Sequence, residues 1–98
     1  MKKVNYVNLK ESKFISISGE DRKNFIQGLI TNDINKCNAH NPLYSCLLSP
    51  QGKFLADFFI IESIDNYIFE LNKKHYDDFI NKFNIYKLRS KVQINTSN

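Results

Sequence analysis

Ninety-eight residues, 42% hydrophobic and 24% charged, suffice for one small domain that buries roughly two-thirds of its unfolded surface, and leave no room for a second. Apolar runs fall well short of the ~18 to 20 residues a membrane span requires, and Met1-Lys2-Lys3 leads into Asn5, Asn8, Lys10 and Glu11 instead of a signal-peptide core, so the chain reads as soluble and unexported. A formal net charge of +4 allows an anionic partner without selecting one, and two cysteines, Cys37 and Cys46, read as free thiols in a reducing compartment and not as a disulfide scaffold.

From the amino terminus, Val4 to Leu9 and Lys13 to Ser18 have strand composition, the second with Ile15 and Ile17 on one side. A helix follows from about Asp21, with Ser18 or Gly19 as its cap and Phe25, Ile26, Leu29 and Ile30 as its apolar stripe; Thr31-Asn32-Asp33 ends it. After a polar loop come a strand near Leu43 to Ser49, the Pro50-Gln51-Gly52 turn, a long strand from Phe54 to Glu62, the Asp65-Asn66 turn and a strand from Tyr67 to Leu71: a three-stranded antiparallel meander. Asn72 is placed to cap a second helix, whose stripe Tyr76, Phe79, Ile80 and Phe83 should lie across the sheet. From Tyr86 to Ile94 alternation returns, which predicts a last strand with Lys87, Arg89 and Lys91 as a cationic row. The expected fold is therefore α+β, an antiparallel sheet of about five strands with two main helices in a single domain over 1–98.

Within the long strand, Phe54, Ala56, Phe58 and Ile60 share one face and Leu55, Asp57, Phe59 and Ile61 the other, and neither face reads as a solvent face. An isolated carboxylate among apolar neighbours costs several kcal/mol unless something pairs with it. Asp57 is therefore expected to meet a partner, either a ligand or a structural one such as Lys53 or backbone amides.

Other constellations are weaker. Cys37, His40 and Cys46, with Asp33, give a C-x2-H-x5-C spacing that matches no standard zinc unit, and no metal site is assigned. His75 has no local serine or cysteine elbow that would make a hydrolase triad. GKFLADFF superficially follows an aromatic RNA-recognition strand, but Gly52-Lys53 reverses the basic-glycine order and Asp57 would stand close to phosphates. An RNA-binding or plain interaction module stays as an alternative class.

Taken in order, FISISGEDRKNFIQGLITNDI, LYSCLLSPQGKFLADFFII and YKLRSKVQI resemble the amino-terminal region of YgfZ-type folate-binding proteins, iron-sulfur cluster assembly relatives of the glycine cleavage T protein (aminomethyltransferase). The likeness covers about Phe14 to Ile94. Ala56 departs from the aromatic residue that precedes the aspartate in those proteins, and their Lys-Gly-Cys segment has no counterpart here, so neither Cys37 nor Cys46 inherits its role. The resemblance implies an amino-terminal fragment of a longer, cytoplasmic or mitochondrial-matrix protein. It implies tetrahydrofolate or a folate derivative as cofactor, and iron-sulfur client or assembly proteins as partners, with neither membrane nor nucleic acid. It implies Asp57 as the ligand anchor, Tyr44, Phe59 and Ile61 as cavity walls, and Asn32 at the helix-end motif as a cap or a cofactor contact. Lys87, Arg89 and Lys91 would attract folate's anionic tail. The enzyme alternative is a fragment of a folate-dependent aminomethyltransferase; the leading expectation is an accessory protein without catalytic residues.

Overall fold

A computed structural model describes residues 11–97. The strand expected over Val4 to Leu9 lies outside them. The chain runs β1 (Ser12–Ser18), α1 (Arg22–Gln27), β2 (Leu43–Leu48), β3 (Phe54–Glu62), β4 (Asn66–Asn72), α2 (Tyr76–Tyr86) and β5 (Gln93–Ser97), with short 3-10 turns at Ile34–Lys36 and Lys73–His75. The five strands form one antiparallel sheet in the order β2-β3-β4-β1-β5. The expected meander β2-β3-β4 is present, and β1 closes onto β4 with Ile15 opposite Phe69 and Ile17 opposite Tyr67.

Both helices cover one face of the sheet. The core there is aromatic: Phe79 and Phe83 of α2, one turn apart, stack at 4.1 Å and 16°, and Phe58 and Phe69 of the sheet meet them edge-on. Phe25 and Ile26 of α1 are buried beside them, and Phe25 meets Phe83 at 5.5 Å. Burying such rings contributes about 1.5–3 kcal/mol each, so the Phe79/Phe83 spacing, more than helix propensity, fixes α2 on the sheet.

Two expectations about the helix starts need correction. Neither Ser18 nor Gly19 caps α1; Asp21 stands at its start, and its carboxylate instead accepts the Lys91 N–H at 2.8 Å. Gly19 has another task. At φ +114° it lets the chain at Lys91–Val92 pass so close that a Cβ would lie 2.2 Å from the Lys91 carbonyl oxygen. Asn72 accepts from the Lys74 N–H at 2.9 Å and so caps the 3-10 turn that leads into α2.

The last strand begins at Gln93, not Tyr86. The turn after Asn84 stays helical because Phe79 and Phe83 hold α2 against the sheet, and the Lys87 N–H still closes on the Phe83 carbonyl at 3.0 Å. The period-two pattern over Tyr86 to Ile94 thus joins a helix end and a turn to a strand. Lys87 and Arg89 belong to the turn, while Lys91 pairs with Glu20 at 3.2 Å, so these three residues form no cationic row on a strand.

Candidate functional site

The open face of the sheet, opposite the helices, presents Tyr44 and Cys46 from β2, Asp57, Phe59 and Ile61 from β3, and Ile68 and Glu70 from β4. Register brings the first of these together: Tyr44 stands opposite Phe59 and Cys46 opposite Asp57. Diagonal neighbours on one face of an antiparallel pair are within reach of long side chains. The Tyr44 hydroxyl accordingly donates to Asp57 Oδ2 at 2.6 Å, a charge-assisted length. Among the described residues nothing donates to the other Asp57 oxygen. The Tyr44 ring leans on Phe59 with centroids 5.2 Å apart, and both rings are 48% exposed.

Asp57 is thus half-buried beside a tyrosine and not enclosed in an apolar interior. The face that carries it is apolar and open together, a combination the alternation pattern did not anticipate. The carboxylate's hydrogen bond is the main reason that Tyr44 ionises well above the usual tyrosine range; partial loss of solvent and the Asp57 charge push the same way, with a smaller push from Cys46. The hydroxyl therefore stays a donor throughout physiological pH.

The expected Leu55/Asp57/Phe59/Ile61 face is broken at its start. Pairing shifts between Leu47/Ala56 and Leu48/Phe54, which leaves Leu55 as the extra residue of a bulge. Leu55 packs against the core and lines a groove beside α2, while Phe54 is exposed and meets His75 edge-on at 5.4 Å.

The Thr31-Asn32-Asp33 corner supports the site from behind. Thr31 N–H bonds to the Cys46 carbonyl at 3.1 Å, and Cys46 N–H bonds back to Thr31 Oγ1 at 3.1 Å, so the corner extends the ladder along the edge of β2. Asn32 Nδ2 donates to the Tyr44 carbonyl at 3.0 Å while its Oδ1 accepts from the Asp33 N–H at 2.8 Å. The Asn32 amide is therefore committed to protein groups, chiefly the backbone of the residue whose ring holds Asp57.

Sequence reasoning missed Ser45. It is the buried polar residue of the core-facing row Leu43, Ser45, Leu47, and its Oγ accepts the N–H groups of Thr31 and Asn32, each at 3.1 Å. The signal was present: a lone hydroxyl on an otherwise apolar strand face demands a partner.

Cys37, His40 and Cys46 do not converge. Cys37 is buried and directs its thiol at the Ile60 carbonyl at 3.3 Å, burial and then the Glu62 charge raising its pKa; His40 is exposed. Among the described residues no three His, Cys, Asp or Glu side chains are grouped to hold a metal ion, and no helix is long and apolar enough to cross a membrane.

No protein-family model matches the chain. It is similar to the mitochondrial iron-sulfur cluster assembly factor IBA57 homologues of Coccidioides immitis, 27% identical over 103 residues, and of Neurospora crassa, 30% identical over 93. These matches cover 90% and 88% of this chain. The chain is related to the iron-sulfur cluster assembly factors, as its motifs led us to expect. It spans 24% and 21% of those two relatives, about a quarter or less of their length. An uncharacterized protein of Aquifex aeolicus is 37% identical over 73 residues, 74% of this chain and 48% of that protein. Among solved structures, the glycine cleavage system aminomethyltransferase T from Bartonella henselae superposes with a TM-score of 0.81 over 89% of this chain and 24% of its own, at 15% identity. That likeness shows the fold: the five-stranded antiparallel sheet with two helices is that of the T protein.

Proposed function

We propose that this chain is the tetrahydrofolate-binding module of a YgfZ-type iron-sulfur cluster assembly factor. The observation that carries the reading is Asp57 on the open sheet face, with one oxygen held by Tyr44 and the other ready to accept. A reduced pterin offers N–H donors along a flat ring; a carboxylate beside exposed Tyr44, Phe59 and Ile61 suits both the donors and the ring. The donor set therefore fits a folate. Asp57 would accept a ligand N–H, Phe59 and Ile61 would face the ring, and Tyr44 would fix the carboxylate's orientation. Asn32 would act through the Tyr44 backbone and not on the ligand. Bound there, the folate would supply a one-carbon carrier.

Charge favours a donor-bearing ligand over nucleic acid. Among the described strand residues, the charged ones on the open face are Asp57 and Glu70, both acidic, which would repel phosphates. Iron-sulfur client or assembly proteins are the partners this reading implies, in the mitochondrial matrix of a eukaryote or in a bacterial cytoplasm.

Calorimetric titration with tetrahydrofolate tests it, on this chain and on the longest natural protein that contains it. The longer protein should bind more tightly, because further walls reduce the ordering cost of the ligand. Asp57→Asn should weaken binding about tenfold or more, the usual loss for a charge-assisted hydrogen bond. Equal affinity of wild type and Asp57→Asn would remove the assignment. Aminomethyl transfer from a lipoyl carrier protein would instead identify an aminomethyltransferase.

A further inference from the structure

A second group of exposed apolar side chains lies at the carboxyl-terminal end of α2, apart from Asp57. Ile85 and Tyr86 are exposed there, and Leu88, in the turn that follows, is 85% exposed. Tyr86 borders two grooves that also share Lys82: one of about 270 Å³ beside Leu55 and Ile85, the other of about 340 Å³ beside Leu29, Ile30 and Leu48. Small-molecule sites run from roughly 300 to 1,000 Å³, so the two grooves fall at or below the bottom of that range, a size that one or two large side chains fill.

Lys82 is held in place between them. Its Nζ donates to the Leu48 carbonyl at 2.5 Å and lies 5.3 Å from the centroid of the Tyr86 ring. A fixed cation thus divides a trough whose walls mix apolar side chains with Asp78, Asn81 and Thr31. On the adjoining turn, Lys87 and Arg89 form no ion pair among the described residues, unlike Lys91 with Glu20.

We infer that this trough and the Leu88 turn form a docking surface for an acidic, amphipathic protein segment. Two apolar side chains of the segment enter the grooves on either side of Lys82, and its carboxylates meet Lys82, Lys87 and Arg89. Apolar anchors in small pockets with charges around them are the usual anatomy of helix-in-groove recognition. A protein segment fits better than an anionic bilayer, because separate grooves admit single side chains where a bilayer presents a flat surface. The inference is independent of folate binding.

The isotope-labelled 98-residue chain is titrated with a synthetic helical peptide carrying leucines at i and i+4 with glutamates between, with its lysine counterpart, and with phosphatidylglycerol vesicles. The glutamate peptide should shift the amide signals of Leu55, Ile85 and Leu88. Leu88→Ser and Arg89→Glu should each weaken it about tenfold, while Asp57→Asn leaves it unchanged. Leu88 is nearly fully exposed, so its variant keeps the fold, which an unchanged core spectrum verifies. Absence of those shifts, equal binding of the lysine peptide, or preferential uptake by vesicles would overturn the inference.

Discussion

The two faces of β3 carry similar side chains and meet opposite fates. Ala56, Phe58 and Ile60 are sealed beneath the helices, while Phe59 and Ile61, one residue out of step, stand open beside Asp57. Hydropathy treats Phe58 and Phe59 alike; only the placement of α1 and α2 separates them. An open apolar row with an acid in it is costly to leave wet, and that is why the face reads as a binding surface.

The contrast can be broken first at its strongest point. Phe58→Ala should cost about 3–5 kcal/mol in denaturant unfolding, because Phe69 and Phe79 lose a packed ring, whereas Phe59→Ala should cost less than about 1 kcal/mol. Comparable losses at the two positions would mean that the open face is covered in the folded chain. Ser45→Ala comes next, at about 1–3 kcal/mol, since the Asn32 N–H loses its acceptor and the Thr31 N–H keeps only the Cys46 carbonyl. Gly19→Ala should destabilise by more than about 1 kcal/mol, through both its positive φ and the contact with Lys91.

The smallest effect is spectroscopic. Tyr44 holds its proton above the usual tyrosine range because Asp57 accepts its hydrogen bond, so this bond's stabilisation is complete below that range and is lost as pH rises through the raised value. In a tyrosinate absorbance titration, Asp57→Asn should move one phenol back toward ordinary behaviour. Tyr67, raised chiefly by burial, should not move.

Much of this arrangement was legible in the sequence, because periodicity reports elements well. The β2-β3-β4 meander, the bounds of β3 and the buried stripe of α2 all follow from alternation and i, i+3, i+4 spacing. What failed depended on partners distant in the chain. The β5 boundary was hidden because Leu88, an exposed turn residue, happens to keep step with Val92 and Ile94. The Leu55 bulge, the Ser45 clamp and the Gly19 crossing each arise from backbone meeting backbone, which side-chain patterns do not encode. At the site, Asp57's need of a partner was readable, but the nearest partner, Tyr44, became visible only through the β2–β3 register.

The most direct test follows the side-chain and amide resonances of Tyr44, Asp57, Phe59 and Ile61 during titration with tetrahydrofolate, for wild type and Asp57→Asn. The account predicts saturable shifts confined to the open face and abolished or strongly weakened in the variant. Shifts that map to the Ile85–Leu88 end of α2, or that persist undiminished in Asp57→Asn, would contradict it.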